Sequence, residues 1–86
     1  MPEISRFLGL VIYMYYSDHR PPHFHVRYGD HEAMIDIESG RVLAGALPAR
    51  SAGLVEEWRR MHVPDLREDW SLAETRRPLK RISPLE

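Results

Sequence analysis

Cysteine is absent from these 86 residues, which removes a disulfide framework, a thiolate zinc site and a cysteine nucleophile together. The same absence agrees with a reducing cytoplasm. Long hydrophobic runs are missing too. The longest, residues 8–16, is too short to cross a bilayer, and Met1-Pro2-Glu3-Ile4-Ser5-Arg6 carries no apolar signal core. A soluble cytoplasmic protein without a membrane partner is the expectation. Charge of one sign is not in excess either: twelve Lys and Arg against thirteen Asp and Glu give a net charge of −1, so no global basic field draws in nucleic acid. No repeat, low-complexity segment or linker divides the chain, and residues 1–86 read as a single domain. At this size one core is marginal, and a homo-oligomer or a protein partner commonly adds stability.

What is present is unevenly placed. Three of the five histidines and the only Pro-Pro step fall within residues 19–28, His-Arg-Pro-Pro-His-Phe-His-Val-Arg-Tyr. Four cations, Arg76, Arg77, Lys80 and Arg81, crowd near the other end. They read as a solvated helix end, and they are the best candidates for phosphate contacts.

Residues 8–16 are apolar or aromatic on both alternating faces, the pattern of one central strand covered on two sides. Ser17-Asp18 offers turn chemistry, and Pro21-Pro22 imposes an extended lead-in without backbone donors. Residues 23–28 then alternate, with Phe24, Val26 and Tyr28 on one face and His23, His25 and Arg27 on the other. A two-residue turn at Gly29-Asp30 pairs positions whose numbers sum to 59. It sets Phe24 opposite Ile35 and Val26 opposite Ala33, with His23–Asp36, His25–Met34 and Arg27–Glu32 on the outer face. Glu38-Ser39-Gly40-Arg41 closes a second hairpin onto a short edge strand at residues 42–44.

Leu47-Pro48 opens a helix in which Leu54, Val55, Trp58, Met61 and His62 form an apolar stripe, with Gly53 allowing close packing. Val63-Pro64 starts a second helix that buries Leu66, Trp70 and Ala73 and turns Arg67, Glu68, Asp69 and Glu74 to water. The tail keeps Leu79, Ile82 and Leu85, which dock it in extended form. The fold class is α+β, a three- to four-stranded antiparallel meander followed by two helices and an extended C-terminal tail.

The line Met1-Pro2-Glu3-Ile4-Ser5-Arg6-Phe7, the segment Asp18-His19-x-Pro21-Pro22-His23-Phe24-His25-Val26, Ile35-Asp36-Ile37 and Glu57-Trp58 together resemble a bacterial family, domain of unknown function 4160. The resemblance spans essentially the whole chain. It departs from the family pattern at Asp69, where Asn is expected, and at Val63-Pro64 before Asp65. The family has no established activity. The resemblance implies a small cytoplasmic protein encoded beside another small protein, in pairs that look like toxin-antitoxin modules, without saying which half this chain is.

Three chemistries stay open at the histidines. His23 and His25, with His19 reached through the Pro-Pro loop, would hold a divalent transition metal, Asp36 serving as a fourth ligand or orienting partner. The metal's identity, and whether a cofactor is used at all, stay open. Without metal, His23, His25, Asp36 and Arg27 are the catalytic parts for acid-base cleavage of a phosphodiester such as RNA, with Tyr13 or Tyr15 orienting the substrate. The leading expectation is an interaction module of a two-gene, toxin-antitoxin-like pair, its His-rich hairpin face or its edge strand docking a partner protein encoded nearby. Against all three stands a purely structural role, with His23–Asp36 and Arg27–Glu32 as solubilising cross-strand pairs worth about 1 kcal/mol or less each. His31 and His62, flanking a turn and ending a helix, belong to that structural class, as do Trp58 and Trp70 in the core.

Overall fold

The computed structural model describes residues 2–86; Met1, which opens the family line quoted above, lies outside the described residues. Its first departure from the sequence pattern is at Leu8-Gly9. Both residues adopt positive φ, 49° and 82°, the backbone that a two-residue hairpin turn needs to match strand twist. The run at residues 8–16 is therefore not one strand. It folds back at Leu8-Gly9, so β1 (Glu3–Phe7) pairs antiparallel with β2 (Leu10–Tyr13). β1 escaped the period-2 reading because Ser5 is buried beside Ile4 and the register slips between Glu3 and Ser5.

β3 (His23–Tyr28) and β4 (His31–Asp36) follow the register that sums to 59 at all six positions. A one-residue slip would set Phe24 against a carboxylate, and the buried face forbids it. β5 (Val42–Gly45) completes a five-stranded antiparallel meander in the order β1-β2-β3-β4-β5, one strand more than the upper expectation. Between β4 and β5, Gly40 sits at φ 79° where an added Cβ would meet the Glu56 carboxylate and the Arg59 guanidinium. The turn thus needs glycine both for its backbone and for what packs on it.

α1 (Ala49–Met61) and α2 (Val63–Glu74) lie on the core face, with Pro48 capping α1 and His62 forming the joint between the helices. Val55, Trp58, Leu66 and Trp70 join Ile4, Leu10, Ile12, Phe24, Val26 and Ile35 in one apolar cluster. The stripe expected on α1 is narrower than its periodicity: Met61 is exposed, whereas Arg59 is buried in its place. Gly53 meets no neighbour that a methyl group would touch, so close packing does not explain it. On α2, Asp69 is buried rather than turned to water. Its Oδ1 accepts the Lys80 backbone N–H at 2.8 Å.

That contact anchors the tail, which docks as the spacing of its apolar residues predicts. Ile82 and Leu85 are buried, Ile82 N–H donates to the Ile4 carbonyl at 2.8 Å, and the Trp58 indole N–H donates to the Ser83 carbonyl at 2.8 Å. The tail so covers the β1 side of the sheet. Among the described residues no helix is long and apolar enough to cross a membrane.

Candidate functional site

The loop between β2 and β3, residues 14–22, returns along the end of α2. Ser17 takes a left-handed backbone, φ 54°, and its N–H donates to the Ala73 carbonyl at 3.2 Å; the Arg76 guanidinium donates to its hydroxyl at 3.0 Å. This path turns the next side chain, Asp18, inward over the start of β3. Asp18 Oδ2 lies 2.9 Å from His23 Nε2 and 3.1 Å from His25 Nε2, while Oδ1 accepts the His19 N–H at 2.8 Å. Burial by itself would push the Asp18 carboxyl up. Hydrogen bonds from His25, the His19 amide and His23 outweigh it and hold the group below its ordinary value, so it is a carboxylate at neutral pH.

The two imidazoles differ in setting. His23 is fully enclosed, its ring 5.2 Å from Trp70 and 5.1 Å from His25, with Nδ1 2.6 Å from the Pro21 carbonyl. His25 keeps 14% of its side chain open to solvent. It stacks on Tyr13 at 5.2 Å and meets Tyr15 edge-on at 4.8 Å. The expectation of two solvent-facing histidines is thereby corrected: one is a wall of the core and the other is its exposed neighbour. Burial beside Glu32 pushes the Tyr13 phenol up, so it stays protonated and serves as a stacking surface.

The other predicted residues fall elsewhere. Asp36 is the ladder partner of His23, but its carboxylate bends away to accept the Ser39 N–H at 2.7 Å and the Ser39 hydroxyl at 2.8 Å. It caps the β4–β5 turn and does not reach the histidines. Arg27 sits over the Tyr13 ring at 5.7 Å, two residues further along β3. His19 is nearby, with Nε2 3.7 Å from Asp18 Oδ1 and its side chain 68% exposed. The carboxylate of the site is therefore Asp18, which the local pattern marks only as a turn former. The signal that could have found it is its place in the Asp-His-x-Pro-Pro-His-x-His string. Among the described residues, Asp18, His23 and His25 bring three ligand atoms within 4.8 Å of one another.

Beside His25 the outer sheet face carries a shallow hollow of about 210 Å³, walled by Glu32 and Met34 and floored by the small residues Ala44 and Gly45 of β5. The family model described as "Domain of unknown function (DUF4160)" matches residues 9–71, well over half of the chain and all three members of the cluster. The chain belongs to this family. No curated protein and no solved structure matches the chain. Within the DUF4160 match lie β2 to β5, α1 and most of α2, so the loop, the histidines and the open edge strand are all family territory.

Proposed function

We propose that this DUF4160 chain is a cytoplasmic interaction module, one half of a two-protein system of the toxin-antitoxin kind, which takes an extended segment of its partner as a sixth strand along β5. The observation that carries this reading is the contrast between the two sheet edges. β1 is covered by the tail and bears the charged Glu3 and Arg6, with Arg81 of the tail bonded to Glu3. β5 is exposed along all four residues, with Val42 at 50% and Leu43 at 39%, and no charged side chain occurs in residues 42–49. Open apolar edges template pairing with another strand, and proteins normally blunt them with Lys, Pro or a cover. The hollow beside Ala44 and Gly45 gives a partner side chain a seat next to His25.

The test is co-expression with the product of the adjoining gene. The wild-type chain is expected to co-purify with it and to show slowed amide exchange in residues 42–46, and Leu43→Lys to lose both while unfolding at an unchanged temperature. Retention of the partner by Leu43→Lys, or protection confined to another face, overturns the reading. Self-association through paired β5 strands, abolished by the same substitution, would replace the partner by a second copy.

A second reading, a His-based phosphodiester hydrolase such as a ribonuclease toxin, is favoured by one observation. Asp18, His23 and His25 converge beside a loop held by Arg76, which supplies proton-transfer or metal-binding groups next to a cation. Cleavage of RNA by tag-free protein, lost in Asp18→Asn, would support it; intact RNA at high enzyme concentration would eliminate it.

A further inference from the structure

The hydrogen-bond inventory of a neutral His23 ring does not balance by itself. A neutral imidazole has one N–H and one lone pair. With Nδ1 2.6 Å from the Pro21 carbonyl, an acceptor only, the proton belongs on Nδ1. Nε2 then directs its lone pair at a carboxylate oxygen 2.9 Å away, and the His25 Nε2 approaches that same oxygen from 3.1 Å. Lone pairs facing each other across a hydrogen-bond distance repel, and the enclosure of His23 leaves no room for water to relieve them. Either a second proton on the ring, which then donates to both the Pro21 carbonyl and Asp18, or a metal cation at the point of convergence resolves the conflict.

We infer that Asp18 Oδ2, His23 Nε2 and His25 Nε2 form a binding site for a divalent first-row transition ion of the zinc class. Three observations agree on it. The donors lie within 4.8 Å of one another, and ligands about 2.0–2.2 Å from a tetrahedral zinc are separated by about 3.3 Å, so Asp18 Oδ2, 2.9 and 3.1 Å from the two ring nitrogens, needs to move back from them by only a few tenths of an ångström. The Pro21 carbonyl fixes the tautomer of His23 from the far side, the outer partner that metal-bound imidazoles ordinarily have. Two imidazoles and one carboxylate form a donor set that suits zinc, iron or cobalt and is too nitrogen-rich for calcium or magnesium. The fourth position opens toward His19, whose exposed ring is 5.2 Å from that of His23. His19 either closes the site or leaves it to water. The ion would clamp residues 14–22 onto β3, and the site stands whichever partner β5 takes.

The full chain without an affinity tag, stripped with a chelator, is to be titrated with Zn²⁺ and with Co²⁺. The expected result is one ion per chain, a Co²⁺ visible spectrum of four- or five-coordinate character, and a raised unfolding temperature. Asp18→Asn and His25→Gln should each weaken binding at least 100-fold, with folding verified by circular dichroism. Asp36→Asn and His31→Gln should leave it unchanged. Nitrogen-15 resonances of the His23 ring should shift on metal addition as a ligated Nε2 does. Three results would overturn the site: no stoichiometric binding, binding that survives both Asp18→Asn and His25→Gln, or a His23 ring that stays doubly protonated with the ion in excess. None of these touches the docking reading, which is judged on Leu43→Lys and on amide exchange along β5.

Discussion

His23 faces Asp18 across 2.9 Å, although its partner in the β3–β4 ladder is Asp36. Neighbourhood on the sheet and contact between side chains are here decided separately: the ladder places Cα atoms, and the loop of residues 14–22 delivers the carboxylate. Truncating His23 removes a fully buried ring, leaves the Pro21 carbonyl without its partner and takes one of two imidazoles from Asp18. His23→Ala is expected to cost about 2–4 kcal/mol in urea unfolding. His25→Gln, at a partly open position, is expected to cost about 1 kcal/mol or less.

Arg59 joins α1 to the β4–β5 turn. Its guanidinium donates to both Glu56 oxygens at 2.7 Å and to the Ile37 carbonyl at 2.8 Å. The Arg59 hydrogen bonds, joined by Arg60 and opposed by partial burial, hold the Glu56 carboxyl down at about 2 against 4.5 for the free group. A depressed folded-state value means stability that is complete above pH about 4.5 and lost as pH falls toward 2. Glu56 keeps a third of its side chain in solvent, and screening reduces its contribution to about 1–2 kcal/mol. Stability measured from pH 6 down to pH 2 should fall less steeply in Glu56→Gln than in wild type. Arg59→Ala, which leaves the Ile37 carbonyl buried without its donor, should cost about 2–4 kcal/mol at pH 7.

Gly40→Ala tests the same junction from the turn. An added methyl would lie 2.5 Å from Glu56 Oε1 and 2.8 Å from Arg59 Nε, at a φ of 79°. A loss of about 1–3 kcal/mol is expected, and the acid limb should flatten as the Glu56 pair is displaced. Loss of stability with an unaltered acid limb would separate the turn from the ion pair.

Asp69 behaves in the opposite sense. Burial pushes its carboxyl up despite the hydrogen bond from the Lys80 amide, and Oδ2 has no partner among the described groups. A raised folded-state value means that folding favours the protonated acid, so stability falls as pH rises from 3.8 through that value. Asn at this position keeps the Lys80 contact without a buried charge. Asp69→Asn should add about 0.5–1.5 kcal/mol at pH 7, and the gain should vanish in acid. Equal stability at every pH would show that the buried charge costs nothing.

Trp58→Phe tests how the tail is held. The indole N–H bonds the Ser83 carbonyl 25 residues away. Losing that bond should cost about 1–2 kcal/mol and speed amide exchange at Ile82.

Alternation was enough to define the β3–β4 hairpin, because a period of two ties every side chain to a face and the buried face rejects a slipped register. Spacing was likewise enough for the two helices, the buried Leu66, Trp70 and Ala73, the short edge at β5 and the docking of Ile82 and Leu85. Local pattern failed where burial comes from a distant partner. Leu8-Gly9 reads as strand until its positive φ values are known. Asp69 reads as solvated until the Lys80 amide satisfies it, and Arg59, outside the apolar stripe, is drawn inside by the Ile37 carbonyl.

The histidines themselves were legible in residues 19–28, but their carboxylate was not. What the sequence by itself determined is the α+β order, the hairpin register and the place of the imidazoles, since these follow from periodicity and turn chemistry within a few residues. Only the tertiary structure decided that Asp18 and not Asp36 meets them, that His23 is sealed against Trp70, and that β5 is left open while the tail covers β1. Those outcomes depend on the path of a loop and a tail across other elements, held by contacts between residues as far apart as Ser17 and Ala73 or Ile4 and Ile82, and no local spacing encodes them.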